Sequence, residues 1–464
     1  MPSRFSTMKY LFLFLSFAFA GTASAQSFTC TDISIPAQPF NLDYGDFDGD
    51  GDFDIATVND GANSVTILLN DGSGSFSVET TLSGFNRPES ITAGDFDANG
   101  TIDLGVINAG ANSAVLLSNN GAAGFTMGEA IPVGSNPHAI IAADIDGDSD
   151  LDWIVSDFSS ATASILTNDG EGLFTRTSTL SVGNGTERPI ANDFDGDGDI
   201  DLAIPTFFDS TIHFFENDGS GSFSSTSTLS LGRNHHIPAA GDFDNDSDID
   251  LLVTSSGSGE VFLLENNGEG SFSDEGAVVI PSQPWAGTSG DFDQDGDIDV
   301  AIAAYSGNSI TVLQNNGNAS FTTSESLPVG NQPHQVISAD FDNDGDLDLA
   351  TANDAANSIT LLINNTEPVH TEQESIPEGF GLLQHFPNPF NSSTVIRFSL
   401  PKPTFITLSV FDAQGREIYR LLNEHRQQGI HEVELILPVY SSKGTYFYQL
   451  STPSHVQTRT MTLQ

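Results

Sequence analysis

Seven nine-residue strings carry most of the chemistry available to this chain of 464 residues. They read DFDGDGDFD from Asp46, DFDANGTID from Asp95, DIDGDSDLD from Asp144, DFDGDGDID from Asp193, DFDNDSDID from Asp242, DFDQDGDID from Asp291 and DFDNDGDLD from Asp340. Side-chain oxygens at positions 1, 3, 5 and 9 of a tight loop, with the position 7 carbonyl, make the all-oxygen shell of a hard cation. The candidate metal ligands, loop by loop, are Asp46, Asp48, Asp50 and Asp54; Asp95, Asp97, Asn99 and Asp103; Asp144, Asp146, Asp148 and Asp152; Asp193, Asp195, Asp197 and Asp201; Asp242, Asp244, Asp246 and Asp250; Asp291, Asp293, Asp295 and Asp299; Asp340, Asp342, Asp344 and Asp348. Ca2+ suits such a shell better than Mg2+, which demands octahedral geometry and keeps several waters. Up to seven structural Ca2+ ions are expected. Gly at position 6, as in Gly51 and Gly100, permits a positive φ there, whereas Ser149 and Ser247 would be strained. The Asp95 string has Asn99 and Thr101 where the others have Asp, so it should bind most weakly.

One such string could be a solvated turn, but seven in register at a constant spacing of 49 residues describe a repeat. Each unit reads as four short strands: one before the acidic loop, one after it, a third such as Val65 to Leu69, and a fourth beyond an Asn-Asp-Gly or Asn-Asn-Gly turn. The expected fold class is all-β, a seven-bladed β-propeller over 26–366. The seventh unit stops at Asn364-Asn365-Thr366 without its fourth strand, and Ser27 to Pro36 resembles the missing piece. The N-terminal segment should therefore close the ring.

If the acidic loops join strands one and two, the start of strand one lies on the opposite face. Six residues before each loop stand Phe40, Glu89, His138, Glu187, His236, Trp285 and His334, a chemically mixed ring. Connections between strands two and three add Asn59, Asn108, Phe158, Phe207 and Tyr305 there. Trp285 and Tyr305 beside carboxylates and amides could form a sugar platform, making Phe40, Glu89, His138, Glu187, His236, Trp285, Tyr305 and His334 the candidate ligand residues. Unconstrained loops also vary, and these side chains could simply plug a channel. The chain has no GxSxG, no HExxH and no glycine-rich phosphate loop, so no catalytic residue is assigned.

The formal charge is −50, and its distribution matters more than its size. Residues 26–366 hold 54 acidic groups against only Arg87, Arg176, Arg188 and Arg233, with no Lys. That excess repels phosphate backbones, so a nucleic-acid partner is not expected. A single Cys excludes a disulfide framework. Arg4 and Lys9, an apolar run from Tyr10 to Ala20 and Ala23-Ser24-Ala25 read as a secretory signal peptide over 1–25. About 11 apolar residues are too few to span a bilayer, so no transmembrane segment is expected. After a polar linker at 367–380, residues 381–464 alternate polar and apolar positions in about seven strands, as in Thr407-Leu408-Ser409-Val410-Phe411. A small immunoglobulin-like β-sandwich is expected there.

The repeats resemble the FG-GAP or VCBS repeats of integrin α-subunit-type propellers. That resemblance implies Ca2+ on the acidic hairpins and ligands on the opposite face. Pro387-Asn388-Pro389-Phe390, Phe411 to Arg416, Gly444 to Tyr448 and Met461-Thr462-Leu463 resemble the type A C-terminal sorting domain of type IX secretion cargo. This second resemblance implies engagement with the type IX export machinery and a secreted or outer-surface location. The expected function is a calcium-stabilised glycan- or protein-binding or adhesion module. A polysaccharide-active enzyme and a purely structural surface protein are the alternatives.

Overall fold

The computed structural model describes residues 27–231, 235–236, 239–280, 282–365, 380–382, 393–411, 416–436, 444–453 and 455–463. The expected signal peptide, nearly all of the linker and the motifs at 387–390 and 412–415 lie outside the described residues. The chain divides into two compact units, 1–369 and 370–464.

In the first unit each repeat folds into one antiparallel sheet. The first sheet runs Pro39–Gly45, Asp54–Asn59, Ser64–Asn70 and Phe76–Ser83, in chain order and hydrogen-bonded in that order. Sheets two to six follow the same plan, beginning at Pro88, Pro137, Ile190, Ala239 and Pro284. In the second sheet the outer strand breaks into Phe125–Met127 and Ile131–Pro132, both paired with Ser113–Asn119. The seventh sheet combines Pro333–Ala339, Asp348–Asn353 and Ser358–Asn364 with Phe28–Ser34 from the N-terminal end. Phe28 pairs with Asn364 as Phe76 pairs with Asn70, so the borrowed strand takes the place of the missing one, without the one-residue bulge that Phe76–Ser83 carries.

Seven apolar clusters hold these sheets to one another, each shared by two successive sheets. One joins Phe341, Ala350 and Leu361 of the seventh sheet to Leu42 and Ile55 of the first. Position 2 of every acidic string is in these clusters, from Phe47 and Phe96 to Phe292 and Phe341, all fully buried. Burying each such side chain contributes roughly 1.5–3 kcal/mol. Six of the seven loops follow a small residue, Asn192 being the exception, as suits innermost strands that are crowded. A Cβ at Gly45 would stand 2.8 Å from Cγ2 of Ile102, and one at Gly290 2.5 Å from Cδ1 of Leu347. Position 8 of the following loop fills the space that glycine leaves.

The second unit has two antiparallel sheets, one of Gly381–Leu382, Ser393–Leu400 and Gly429–Ile436, the other of Glu417–Arg426, Thr404–Phe411, Gly444–Ser451 and Val456–Leu463. Alternate residues Ile396, Phe398 and Leu400 share a core with Ile406, Leu408, Val410, Tyr448 and Leu450. The period-2 pattern read from the sequence is what brings both sets to one face. No described helix is long and apolar enough to cross a membrane.

Candidate functional site

The seven acidic loops share one geometry. The position 1 carboxylate accepts a hydrogen bond from the position 6 amide at 2.9–3.1 Å in every loop. That closure forces positive φ at position 6, from 76° at Ser149 to 99° at Gly51, with Ser247 at 81°. The two serines therefore occupy the strained region expected of them. Position 4 is also at positive φ throughout, including Ala98 and Gln294, a constraint the sequence did not reveal.

The Asp at position 9 is buried in all seven loops. Its Oδ2 accepts from the position 2 amide at 2.8–3.2 Å. Its Oδ1 accepts from the amide of an Asn that ends strand three, at 2.7–2.9 Å. Each oxygen retains a second lone pair for a cation. Carboxylate oxygens of Asp46, Asp48 and Asp50 lie within 4.8 Å of one another, as do those of Asp95, Asp97 and Asp103, and of Asp144, Asp146 and Asp152. Asp193, Asp195 and Asp197, and Asp242, Asp244 and Asp246, converge likewise. At position 3 the buried Oδ1 atoms of Asp146, Asp293 and Asp342 have no hydrogen-bond partner. Partial burial, with repulsion from their neighbours at positions 1 and 5, raises the carboxyls of Asp48, Asp146 and Asp342 above the ordinary aspartate range. Convergent, mutually repelling and partly unpartnered oxygens fit a bound divalent cation. In the second loop Thr101 donates from both its amide and its hydroxyl to Asn99 Oδ1, at 2.8 and 2.5 Å, which occupies that oxygen.

The strand-three Asn residues were read from the sequence only as turn formers. Each is a clasp between sheets. The Nδ2 of Asn70, Asn119, Asn168, Asn217, Asn266, Asn315 and Asn364 donates to the position 2 carbonyl of the preceding sheet at 2.7–2.9 Å. For Asn70 that partner is Phe341, on the seventh sheet. Asn217→Ala would leave the carbonyls of Ile145 and Ile200 without this donor. The expected cost is about 2–4 kcal/mol, measured by calorimetry, and a loss below about 0.5 kcal/mol would show the clasp to be idle.

At the other end of the strands, six of the eight candidate ligand residues meet round one cavity of about 240 Å³. Its walls are Phe40, Glu89, Asn136, His138, Phe158, Glu187, Phe207, His236 and Trp285. Tyr305 and His334 do not line it. His334 packs on Phe40 at 3.7 Å between ring centroids. Trp285 is stacked on His236 at 3.9 Å and on Tyr305 at 4.7 Å, so less of its indole is free than an open platform would offer. Of the other residues expected on this face, Asn59 is buried and donates to Ser64 and Thr66, a structural role. Asn136 and Arg87 were missed, as was Phe208, whose ring is 64 % exposed beside Phe158 and Phe207.

The polar groups of the cavity are poorly compensated. Arg87 Nη2 lies 2.5 Å from Glu89 Oε1, and its guanidinium also reaches Asn136 Oδ1. His138 stands between the two carboxylates, Nδ1 at 3.9 Å from Glu89 and Nε2 at 3.8 Å from Glu187. Neither nitrogen has a hydrogen-bond partner. His236 Nδ1 is 3.9 Å from Glu187, and its Nε2 bonds the Ser256 hydroxyl at 2.8 Å. Desolvation pushes the Glu89 carboxyl up to about 7 against the opposing pull of the part-exposed Arg87. Desolvation, with Glu89 adding to it, pushes Glu187 up to about 8. Burial, with Arg87, takes the His138 imidazole down to about 4; burial, with His138 and His235, takes His236 down to about 3.

A family model described as FG-GAP-like repeat matches residues 46–106, 96–155, 193–253, 242–302 and 291–351, together more than half of the chain. A second, the secretion system C-terminal sorting domain, matches residues 384–464. Curated proteins gave no match. Among solved structures, BBS1N from its complex with ARL6DN is 11 % identical with a TM-score of 0.54, over 73 % of this chain and 97 % of that one. The Pseudomonas aeruginosa periplasmic gluconolactonase PpgL is 13 % identical with a TM-score of 0.50, over 63 % of this chain and 86 % of that one. At these identities the likeness is one of fold. The chain belongs to the FG-GAP-like repeat family, and its type IX sorting domain directs it to the cell surface or the extracellular space.

Proposed function

We propose that this chain is a closed seven-bladed propeller, stabilised by up to seven Ca2+ ions, that binds an extracellular glycan or protein ligand. The ligand site is the cavity opposite the acidic loops. Seven sheets, seven shared apolar clusters and the clasp from Asn70 to Phe341 support closure. The convergent carboxylates support calcium. Two sheets around one core support an immunoglobulin-like sandwich for the sorting tail, the part read by the type IX machinery. The single observation that carries the binding site is the meeting of four aromatic rings with Glu89, Glu187, His138 and His236 round one cavity.

The test is binding of the full chain to a glycan array and to extracellular proteins, with Trp285→Ala as the variant. Binding should be lost while the melting temperature stays within a few degrees of wild type. Undiminished binding by the variant would remove the cavity from the reading. A second reading rests on Glu89 and Glu187, which flank one imidazole and are held near neutrality. Such a pair can act as general acid and base on a glycoside. Product release from a bound polysaccharide, abolished in Glu187→Gln, would favour it.

A further inference from the structure

The cavity's charge balance says more about its ligand than its shape does. Glu89 has a counter-charge in Arg87, but Glu187 has none among the described residues. Its side chain is 4 % exposed, and among the described residues only the imidazoles of His138 and His236 approach it, at 3.8 and 3.9 Å, beyond hydrogen-bond reach. Arg188, next in the chain, is drawn to Asp43 instead. Burying a carboxylate without a partner is costly, and the usual remedies are a proton or a cation. Around this carboxylate stand Phe40, Phe158, Phe207 and Trp285. Three of these four rings offer π faces and no ligating atom. An aromatic wall with one uncompensated carboxylate matches the recognition of alkylated ammonium groups. The volume, about 240 Å³, lies below the usual range of roughly 300–1,000 Å³ for sites that enclose a whole drug-sized molecule. It suits a head group whose remainder extends over the exposed Phe208.

We propose that this cavity receives an organic ammonium group, with Glu187 as its counter-ion and Phe40, Phe158, Phe207 and Trp285 as its cage. This deepens the reading of the cavity as the ligand site and rests on it. The ammonium can belong to a small quaternary amine or to an amino sugar of a glycan. Glu89, His138 and His236 face Glu187 from neighbouring sheets, with Arg87 behind Glu89 and Arg188 on its own strand. Of these groups only the two carboxylates change charge above neutral pH, so binding of a permanently charged quaternary ammonium should strengthen as pH rises towards 9.

The experiment is calorimetric titration of the calcium-loaded full chain at about pH 9 with choline. Its neutral carbon isostere, in which tert-butyl replaces trimethylammonium, is titrated in parallel, and glucosamine and N-acetylglucosamine are compared with choline at about pH 7, where the primary amine still carries its proton. Choline should bind and its isostere should not, and Glu187→Gln should weaken choline at least tenfold, on the order expected for losing a buried charge partner. Preference for glucosamine over N-acetylglucosamine would assign the ammonium to an amino sugar, and preference for choline to a quaternary amine. Equal binding of choline and its isostere, or choline binding that survives in Glu187→Gln, overturns the proposal. Neutral glycans that bind in a Trp285-dependent way while no ammonium binds would overturn the ligand class alone. If nothing binds at the cavity, the ligand site falls with it. Uptake of Zn2+ without any response to choline would equally refute the cage.

Discussion

Stripping calcium with a chelator is expected to lower the melting temperature of the full chain by more than about 10 °C. Modules of this extracellular kind bind Ca2+ at roughly 10⁻⁴ to 10⁻³ M. At ten to a hundred times the dissociation constant, each site stabilises the native state by about 1.4–2.7 kcal/mol through mass action. Several independent sites together approach ~10 kcal/mol, and a few degrees per kcal/mol is the usual exchange for a large domain. The loops add a second reason. Without a cation, carboxylates such as those of Asp46, Asp48 and Asp50 face one another within 4.8 Å. The position 1 and position 9 side chains are held there by backbone donors, so they cannot relax apart without opening the loop. Differential scanning calorimetry with and without chelator decides it, and an unmoved transition would sink the calcium reading. Loop by loop, Asp195→Asn should cost more than Asp97→Asn, because Thr101 already engages the Asn99 oxygen of the second loop.

What was legible in the sequence was whatever repeats. The period of 49 residues exposed the sheets, the borrowed strand Phe28–Ser34 and the positions of the acidic loops, because local turn chemistry recurs there unchanged. The roles of the strand-three Asn residues were hidden for the opposite reason. Asn217 finds its partner at Ile145, 72 residues earlier, and no local pattern encodes that contact. A residue invariant across all seven units was the available signal, since a turn alone would tolerate Asp or Gly. A similar signal stands at Asn63, Asn112, Asn308 and Asn357, which take a left-handed φ of 52–53°. Their side chains accept amide hydrogen bonds from Arg87, Asn136, Gln332 and Gln38 of the next unit. Ala161, Ser210 and Gly259 stand at the equivalent places in the third, fourth and fifth sheets, which lack the staple. The fourth sheet is also one whose first strand shortens, to Ile190–Asn192. Glu187 precedes that shortened strand, so this part of the cavity wall is built where the repeat is less regular. The ring of candidate residues was readable from spacing, but its electrostatics were not. That Arg87 reaches Glu89 while Glu187 goes unpaired depends on side-chain geometry that spacing does not carry.

That unpaired carboxylate has a consequence for stability. A carboxyl whose folded pKa stands above its unfolded value takes up a proton on folding. Its stabilising contribution is complete below the unfolded pKa and is lost as pH rises through the folded one. For Glu187 the window runs from the ordinary 4.5 up to about 8. His138 and His236 work in the other direction, because their folded values lie near 4 and 3 against an ordinary 6.5. They cost stability as pH falls below about 6.5 and are silent above it. Between pH 6.5 and 9 the carboxyls alone remain, and Glu89 is partly relieved by Arg87. Glu187→Gln should therefore be more stable than wild type at pH 9, by an amount on the order of a few kcal/mol, and nearly matched to it near pH 5. Thermal melts of both proteins across that range, with calcium held saturating, measure the difference. An offset that does not grow with pH would show that Glu187 is neutralised by some other group. A growing offset would mark it as a charge kept at the expense of the fold, the pattern of residues retained for binding.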